Sequence, residues 1–180
     1  SYLINHISNM FASKTRLYLA QTNPAVNNMR RKVTASANST FMTISKFTSN
    51  KYKGKTSFDI LVIDECSTVN NQDMRSVLER ANFELLVLVG DTYQIESIEF
   101  GNWFDAVRFF LPQTAVCELT TPYRSDSVAL LNVWNDVRKM NGDIYYLLQT
   151  YGYSTDLDKS IFAPAGKGEI ILCLNYGGLY

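Results

Sequence analysis

At 180 residues, with 46% hydrophobic and 19% charged residues, the chain has enough apolar side chain to bury one substantial core, which excludes global disorder. No apolar run reaches the roughly 18 residues of a membrane helix, and no signal-peptide order opens the sequence, so a cytoplasmic protein without membrane contact is expected. Formal charge is zero, which gives no hint of a nucleic-acid partner, although a locally basic groove is compatible with it.

In chain order, Leu3, Ile4, Ile7, Met10 and Phe11 recur at helical spacing and predict an amphipathic helix from the first residues. Arg16 to Thr22 is a short apolar run closed by Asn23-Pro24 and reads as a strand, because proline biases its predecessor away from helix. Phe58 to Glu65 and Leu85 to Asp91 are nearly continuous aliphatic runs ending in acids, the pattern of strands buried on both faces. Between them Met74, Val77, Leu78 and Ala81 share one helical face, with Asn70, Asn71 and Asp73 available to cap its start. Strand, helix, strand at this spacing predicts a parallel βαβ unit and an α/β fold. A further strand is expected at Ala115 to Thr120. A helix follows over Asp126 to Met140, with Leu130, Leu131, Trp134 and Val137 on one face, and a last strand over Glu169 to Leu174. Cys66, Cys117 and Cys173 adjoin apolar runs without a CxxC pair and read as buried free thiols.

Ligands of open parallel sheets gather at the carboxyl ends of strands, so two strand ends stand out. The first is Asp64-Glu65 after Ile60-Leu61-Val62-Ile63. Adjacent carboxylates there suit a metal-dependent nucleotidase, one holding Mg²⁺ through water and the other orienting or deprotonating the attacking water. The second is Gly90-Asp91-Thr92-Tyr93-Gln94, where glycine permits a sharp turn and a glutamine amide reads a terminal phosphate. Alone, each also reads as an ordinary turn. His6 is the only histidine, so no histidine-based triad or zinc site can be assembled.

Together, the DE pair and GDxxQ on successive buried strands resemble motifs II and III of superfamily 1 helicases. Gly90 to Trp103 is similar to the RecD-like form, with Glu96 in place of the usual proline. Leu19 to Met29 resembles motif Ia, and Thr43 to Phe47 resembles the TIHxF-like segment with Ser45 replacing histidine. Leu119 to Ser125 resembles motif IV.

This resemblance implies a RecA-like P-loop NTPase fold, a mostly parallel sheet flanked by helices. Residues 1–122 would be the first motor domain and 123–180 a helical connection into a second RecA-like domain, whose remainder would be a partner. ATP and Mg²⁺ are the implied cofactors and single-stranded DNA the implied track, with RNA possible. Glu65, Gln94 and Arg124 would be catalytic, Arg124 as an arginine finger. Ser1, Asp64, Asp91, Gln94 and Arg124 would bind nucleotide, and Asp64 and Ser1 would hold the metal. Thr22, Asn23, Thr43, Lys46, Phe47 and Trp103 would contact nucleic acid; for the two aromatics, core packing competes with base stacking.

Ser1 fits the hydroxyl that ends a P-loop, which places the loop's lysine and glycines upstream and implies that this chain alone hydrolyses little or no ATP. The Gly-Lys-Gly at 166–168 lacks the P-loop spacing and reads as a flexible turn. A non-unwinding NTPase switch, or a binding module with a degenerate site, is the competing reading.

Overall fold

The structure is a computed structural model that describes residues 2–93, 101, 103–121, 125–139, 143, 146 and 149–152. Two compact units divide the chain at residues 118 and 119.

The first unit is built on four strands, β1 (Arg16–Ala20), β2 (Ser39–Thr43), β3 (Ile60–Ile63) and β4 (Leu85–Leu88), in the order β2-β1-β3-β4. All three pairings are parallel, with Arg16 beside both Ser39 and Ile60, and Ile60 beside Leu85. Every residue of β1 and β3 is buried, as expected for strands whose apolar residues do not alternate with polar ones.

Successive side chains point to opposite faces, and each face meets its own helices. Leu17, Leu19, Leu61 and Ile63 share a core with Phe47 of α3 (Ile44–Thr48) and with Met74 and Val77 of α4 (Asn71–Arg80). Tyr18, Ala20, Ile60 and Val62 share the other core with Ile4 of α1 (Tyr2–Met10) and with Ala25, Val26 and Met29 of α2 (Asn23–Lys32). Each such leucine, isoleucine or valine contributes about 1.5–3 kcal/mol by leaving water, which is what holds the three layers together. This is the expected α/β class, a mostly parallel sheet flanked by helices.

Local sequence explains the helix starts. The Thr22 hydroxyl accepts from the Ala25 amide at the head of α2, where Pro24 is tolerated because first-turn amides lack intrahelical partners. Asn70 caps α4 by accepting from the Asp73 amide at 2.7 Å.

Several expectations need correction. Strand β2 (STFMT) has no continuous apolar run and was not anticipated; it forms because β1 offers it a free edge. No strand forms over residues 116–121. They are exposed, follow a 3-10 turn at Gln113–Ala115, and pair with no strand among the described residues, so nothing described holds the segment extended. Cys66 is buried as expected, but Cys117 is exposed in that same segment, and Cys173 lies outside the described residues.

On α1 the core face carries Ile4 and Ser8, while Met10 is exposed. In the second unit, helix α6 (Val128–Lys139) forms where the periodicity placed it, but none of its residues is buried. The strand expected at 169–174 lies outside the described residues. No helix among the described residues is long and apolar enough to cross a membrane.

Candidate functional site at the carboxyl edge of the sheet

Because all four strands run parallel, their carboxyl ends share one edge, and the loops leaving that edge carry most of the singled-out residues. Thr22 and Asn23 follow β1, Thr43 and Lys46 follow β2, Asp64 and Glu65 follow β3, and Asp91 follows β4. Hydrogen bonding continues past the strand ends. The Asp64 amide donates to Leu19 O, the Val89 amide to Ile63 O and the Cys66 amide to Val89 O, each at 2.9 Å. Asp64 therefore continues the hydrogen bonding of β3 by one residue, and Glu65 turns the chain out of the sheet into a single 3-10 turn.

Asp64 is half-buried, and its Oδ1 accepts from the Glu65 amide at 3.0 Å. Glu65 is exposed and adopts φ 54°, ψ 40°; no other described non-glycine residue has a positive φ. For an L-residue this left-handed conformation costs about 1–2 kcal/mol. The surroundings impose it: the Glu65 carbonyl accepts from the Thr68 amide at 3.0 Å and the Thr68 hydroxyl at 2.8 Å, and Cys66 is locked beneath it. A strained backbone that presents a carboxylate to solvent beside a second carboxylate is the kind of outlier found at reactive centres.

Burial pushes the Cys66 thiol up to about 12, with the Asp64 charge adding to the rise and the Val89 hydrogen bond opposing it. That thiol is a packing group, not a nucleophile.

Across this edge, Gln21 Nε2 donates to Asp73 Oδ2 at 3.0 Å, and Asn70 Nδ2 donates to the same oxygen at 3.1 Å. The end of β1 is thus tied to the start of α4. The Asp91 carboxylate accepts from the Tyr93 amide at 3.0 Å and shapes its own turn.

Gly90 does not have a positive φ, so the expected sharp turn is not its reason. A Cβ there would lie 2.7 Å from the Phe104 ring and 3.1 Å from the Ser67 amide nitrogen, so glycine is required by close packing with α5 (Trp103–Val107). Gly101 is held at φ 137°, where a Cβ would lie 2.4 Å from the Asn71 side chain.

The nucleic-acid candidates divide. Thr22, Asn23 and Lys46 are exposed, and Thr43 is half-buried, its hydroxyl accepting from the Lys46 amide at 3.2 Å. Phe47 is 0% exposed within the core, and Trp103 is half-buried against that same core. A ring with no exposed area cannot stack on a base, so Phe47 is a packing residue. Ser1, Gln94 and Arg124 lie outside the described residues.

Among the described residues no group of three or more His, Cys, Asp or Glu could cage a metal ion. The adjacent Asp64 and Glu65 carboxylates fit Mg²⁺ nonetheless, since this ion commonly uses one or two carboxylates with water and phosphate oxygens. The triplet Gly54-Lys55-Thr56 has the last letters of a P-loop, but Ser49 stands where its first glycine belongs. It also leads into β3 instead of opening a helix.

Sequence reasoning missed one signal that was available. Nine Lys/Arg and no Asp/Glu precede Asp59; the remaining eight Lys/Arg face all seventeen acids. Zero net charge hides a basic first third, the kind of asymmetry that points to a polyanionic partner.

A parallel sheet with helices on both faces and its polar residues at the carboxyl edge is the architecture of a nucleotide-binding α/β protein. A family model described as an AAA domain matches residues 2–152, and the chain belongs to that family. Among solved structures it is similar to Bacteroides Pif1 bound to ssDNA, at 17% identity and a TM-score of 0.47, covering 82% of this chain and 41% of that one. It is also similar to Pif1 helicase from Bacteroides in complex with ADP-AlF3 and ssDNA, at 14% identity and a TM-score of 0.39, covering 83% and 48%. The chain spans less than half the length of either. No curated protein matches it.

Proposed function

We propose that the chain is the first motor domain of a superfamily 1 helicase of the RecD-like form, in which ATP hydrolysis drives movement along single-stranded nucleic acid. The observation that carries this reading is Glu65, an exposed carboxylate in a left-handed backbone next to Asp64 at the sheet's carboxyl edge. Membership of the AAA domain family and the order of the motifs along the chain support it.

In this mechanism Asp64 would hold Mg²⁺ through water, and the chemistry the ion would supply is neutralisation of phosphate charge. Glu65 accepts a proton from the attacking water and orients it. Asp91, after β4, and Gln94 would sense the terminal phosphate, and Arg124 would stabilise charge on the transferred group. Thr22, Asn23, Thr43 and Lys46 grip the backbone of one strand at the ends of β1 and β2. The 180 residues contain no GxxxxGK[ST] spacing, and we propose that the chain alone turns over little or no ATP.

The test compares Glu65→Gln with its parent in a protein extended to include the phosphate loop and the second motor domain. ATP binding is expected to persist while DNA-stimulated hydrolysis falls by 10² or more, as for loss of a positioned base. Unchanged turnover would remove Glu65 from the mechanism and with it the motor assignment.

A further inference from the structure

Beyond the carboxyl end of β2, the turn after α3 closes an open cavity of about 460 Å³ lined by Thr43, Ser45, Lys46, Lys51, Tyr52 and Lys53. No acidic residue occurs in the sequence before Asp59, and among the described residues none of the three lysines is engaged in an ion pair.

Its shape is built. The Arg80 guanidinium donates to the carbonyls of Thr48 at 3.2 Å, Ser49 at 3.1 Å and Tyr52 at 2.7 Å, and lies over the rings of Phe47 and Tyr52. One cation from α4 thereby ties three carbonyls of the turn together and fixes its path. Tyr52 is committed to this clamp, with its ring 5.6 Å from that of Phe47 and its hydroxyl donating to Lys55 O at 3.0 Å. The wall that remains for a ligand is cationic and hydroxylic rather than aromatic. Its location is also specific: Thr43 is paired in register with Ala20, so the cavity adjoins the loop carrying Thr22 and Asn23.

We propose that this cavity is a subsite for consecutive phosphates of a single-stranded nucleic acid, with Lys51 and Lys53 as its gripping residues. It prolongs the track beyond Thr43 and Lys46 toward the β2 edge of the sheet. Contacts restricted to phosphates make this grip indifferent to sequence and sensitive to salt. The inference rests on the motor reading for the existence of a track, but not for its position.

The experiment titrates a fluorescent oligothymidylate with the 180-residue chain over salt from about 50 to about 200 mM. It compares the parent, Lys51→Ala/Lys53→Ala, and Arg31→Ala/Lys32→Ala, which removes equal charge from the far end of α2. The lysine pair is expected to lose about tenfold in affinity, and its slope of log affinity against log salt is expected to flatten by about 1.4, two contacts of about 0.7 each. The control is expected to stay within about twofold, and Lys51→Gln/Lys53→Gln, chosen to preserve solubility and fold, is expected to repeat the loss. Equal losses in both double variants would reduce the effect to net charge and overturn the subsite. An unchanged lysine pair would overturn the subsite alone, whereas a parent that binds no oligonucleotide would overturn the motor reading as well. Retention on phosphatidylserine vesicles without oligonucleotide binding, abolished in the lysine pair, would reassign the cavity to a membrane surface.

Discussion

The amide of Glu65 donates to the Asp64 carboxylate at 3.0 Å, and the residue that makes this bond is held at φ 54°. The two acids are therefore coupled by the same backbone twist that strains one of them. Glycine adopts that twist without a Cβ penalty, though it also loosens the unfolded chain.

Glu65→Gly is accordingly expected to raise stability by about 0.5–1 kcal/mol, read as a higher urea midpoint at unchanged slope. Glu65→Ala, which keeps the Cβ, is expected to leave the midpoint within about 0.3 kcal/mol of the parent. A destabilised glycine variant would show that the left-handed backbone carries no strain.

Arg16 is 0% exposed and forms no ion pair among the described residues. Its guanidinium donates to the carbonyls of Ser8 and Ala35 at 2.7 Å and to that of Phe11, with Ser39 Oγ at 3.3 Å, so it closes the end of α1 onto the turn before β2. Arg16→Met would leave those acceptors buried without donors, and a loss of about 2–4 kcal/mol is expected from chemical denaturation. Arg16→Lys, which keeps the charge but not the planar fork, is expected to recover less than about half of it. A loss below about 1 kcal/mol for the methionine variant would mean that water replaces the guanidinium.

At the opposite edge of the sheet, Asp59 Oδ2 accepts from the Thr15 amide at 2.6 Å and the Thr15 hydroxyl at 2.8 Å. These two bonds hold its carboxyl below the ordinary 3.8; Lys14 and Lys55 lower it further, and burial opposes them. A folded value below the unfolded one gives stability that is full above the unfolded pKa and lost as pH falls through the folded one. The stability gap between the parent and Asp59→Asn is therefore expected to be constant near neutrality and to narrow as the pH falls below the ordinary carboxylate value of 3.8. Urea midpoints across that range measure it; a gap that widened in acid would contradict the assignment.

Strands β1, β3 and β4 and helix α4 were legible in the sequence because continuous aliphatic runs and a capped 3.6-residue period have few other physical uses. Strand β2 was not, because Ser39, Thr40 and Thr43 break the apolar run, and pairing with β1 supplies what the segment lacks. The segment at 115–120 failed the other way: its residues suit a strand, but the described structure brings it no partner edge. Phe47 looked available to a base only because a sequence does not say which side of a five-residue helix meets the sheet.

The sequence by itself determined the parallel α/β class, the acids at two strand ends and the basic first third, since these depend on residue type and order along the chain. Tertiary structure alone decided that one edge collects Thr22, Thr43, Asp64 and Asp91, that Glu65 is strained, and that Arg80 shapes a cationic cavity 28 to 32 residues away in sequence. The physical reason is that strand register and side-chain packing join residues distant in the chain, and the strain they create exists only once those contacts form.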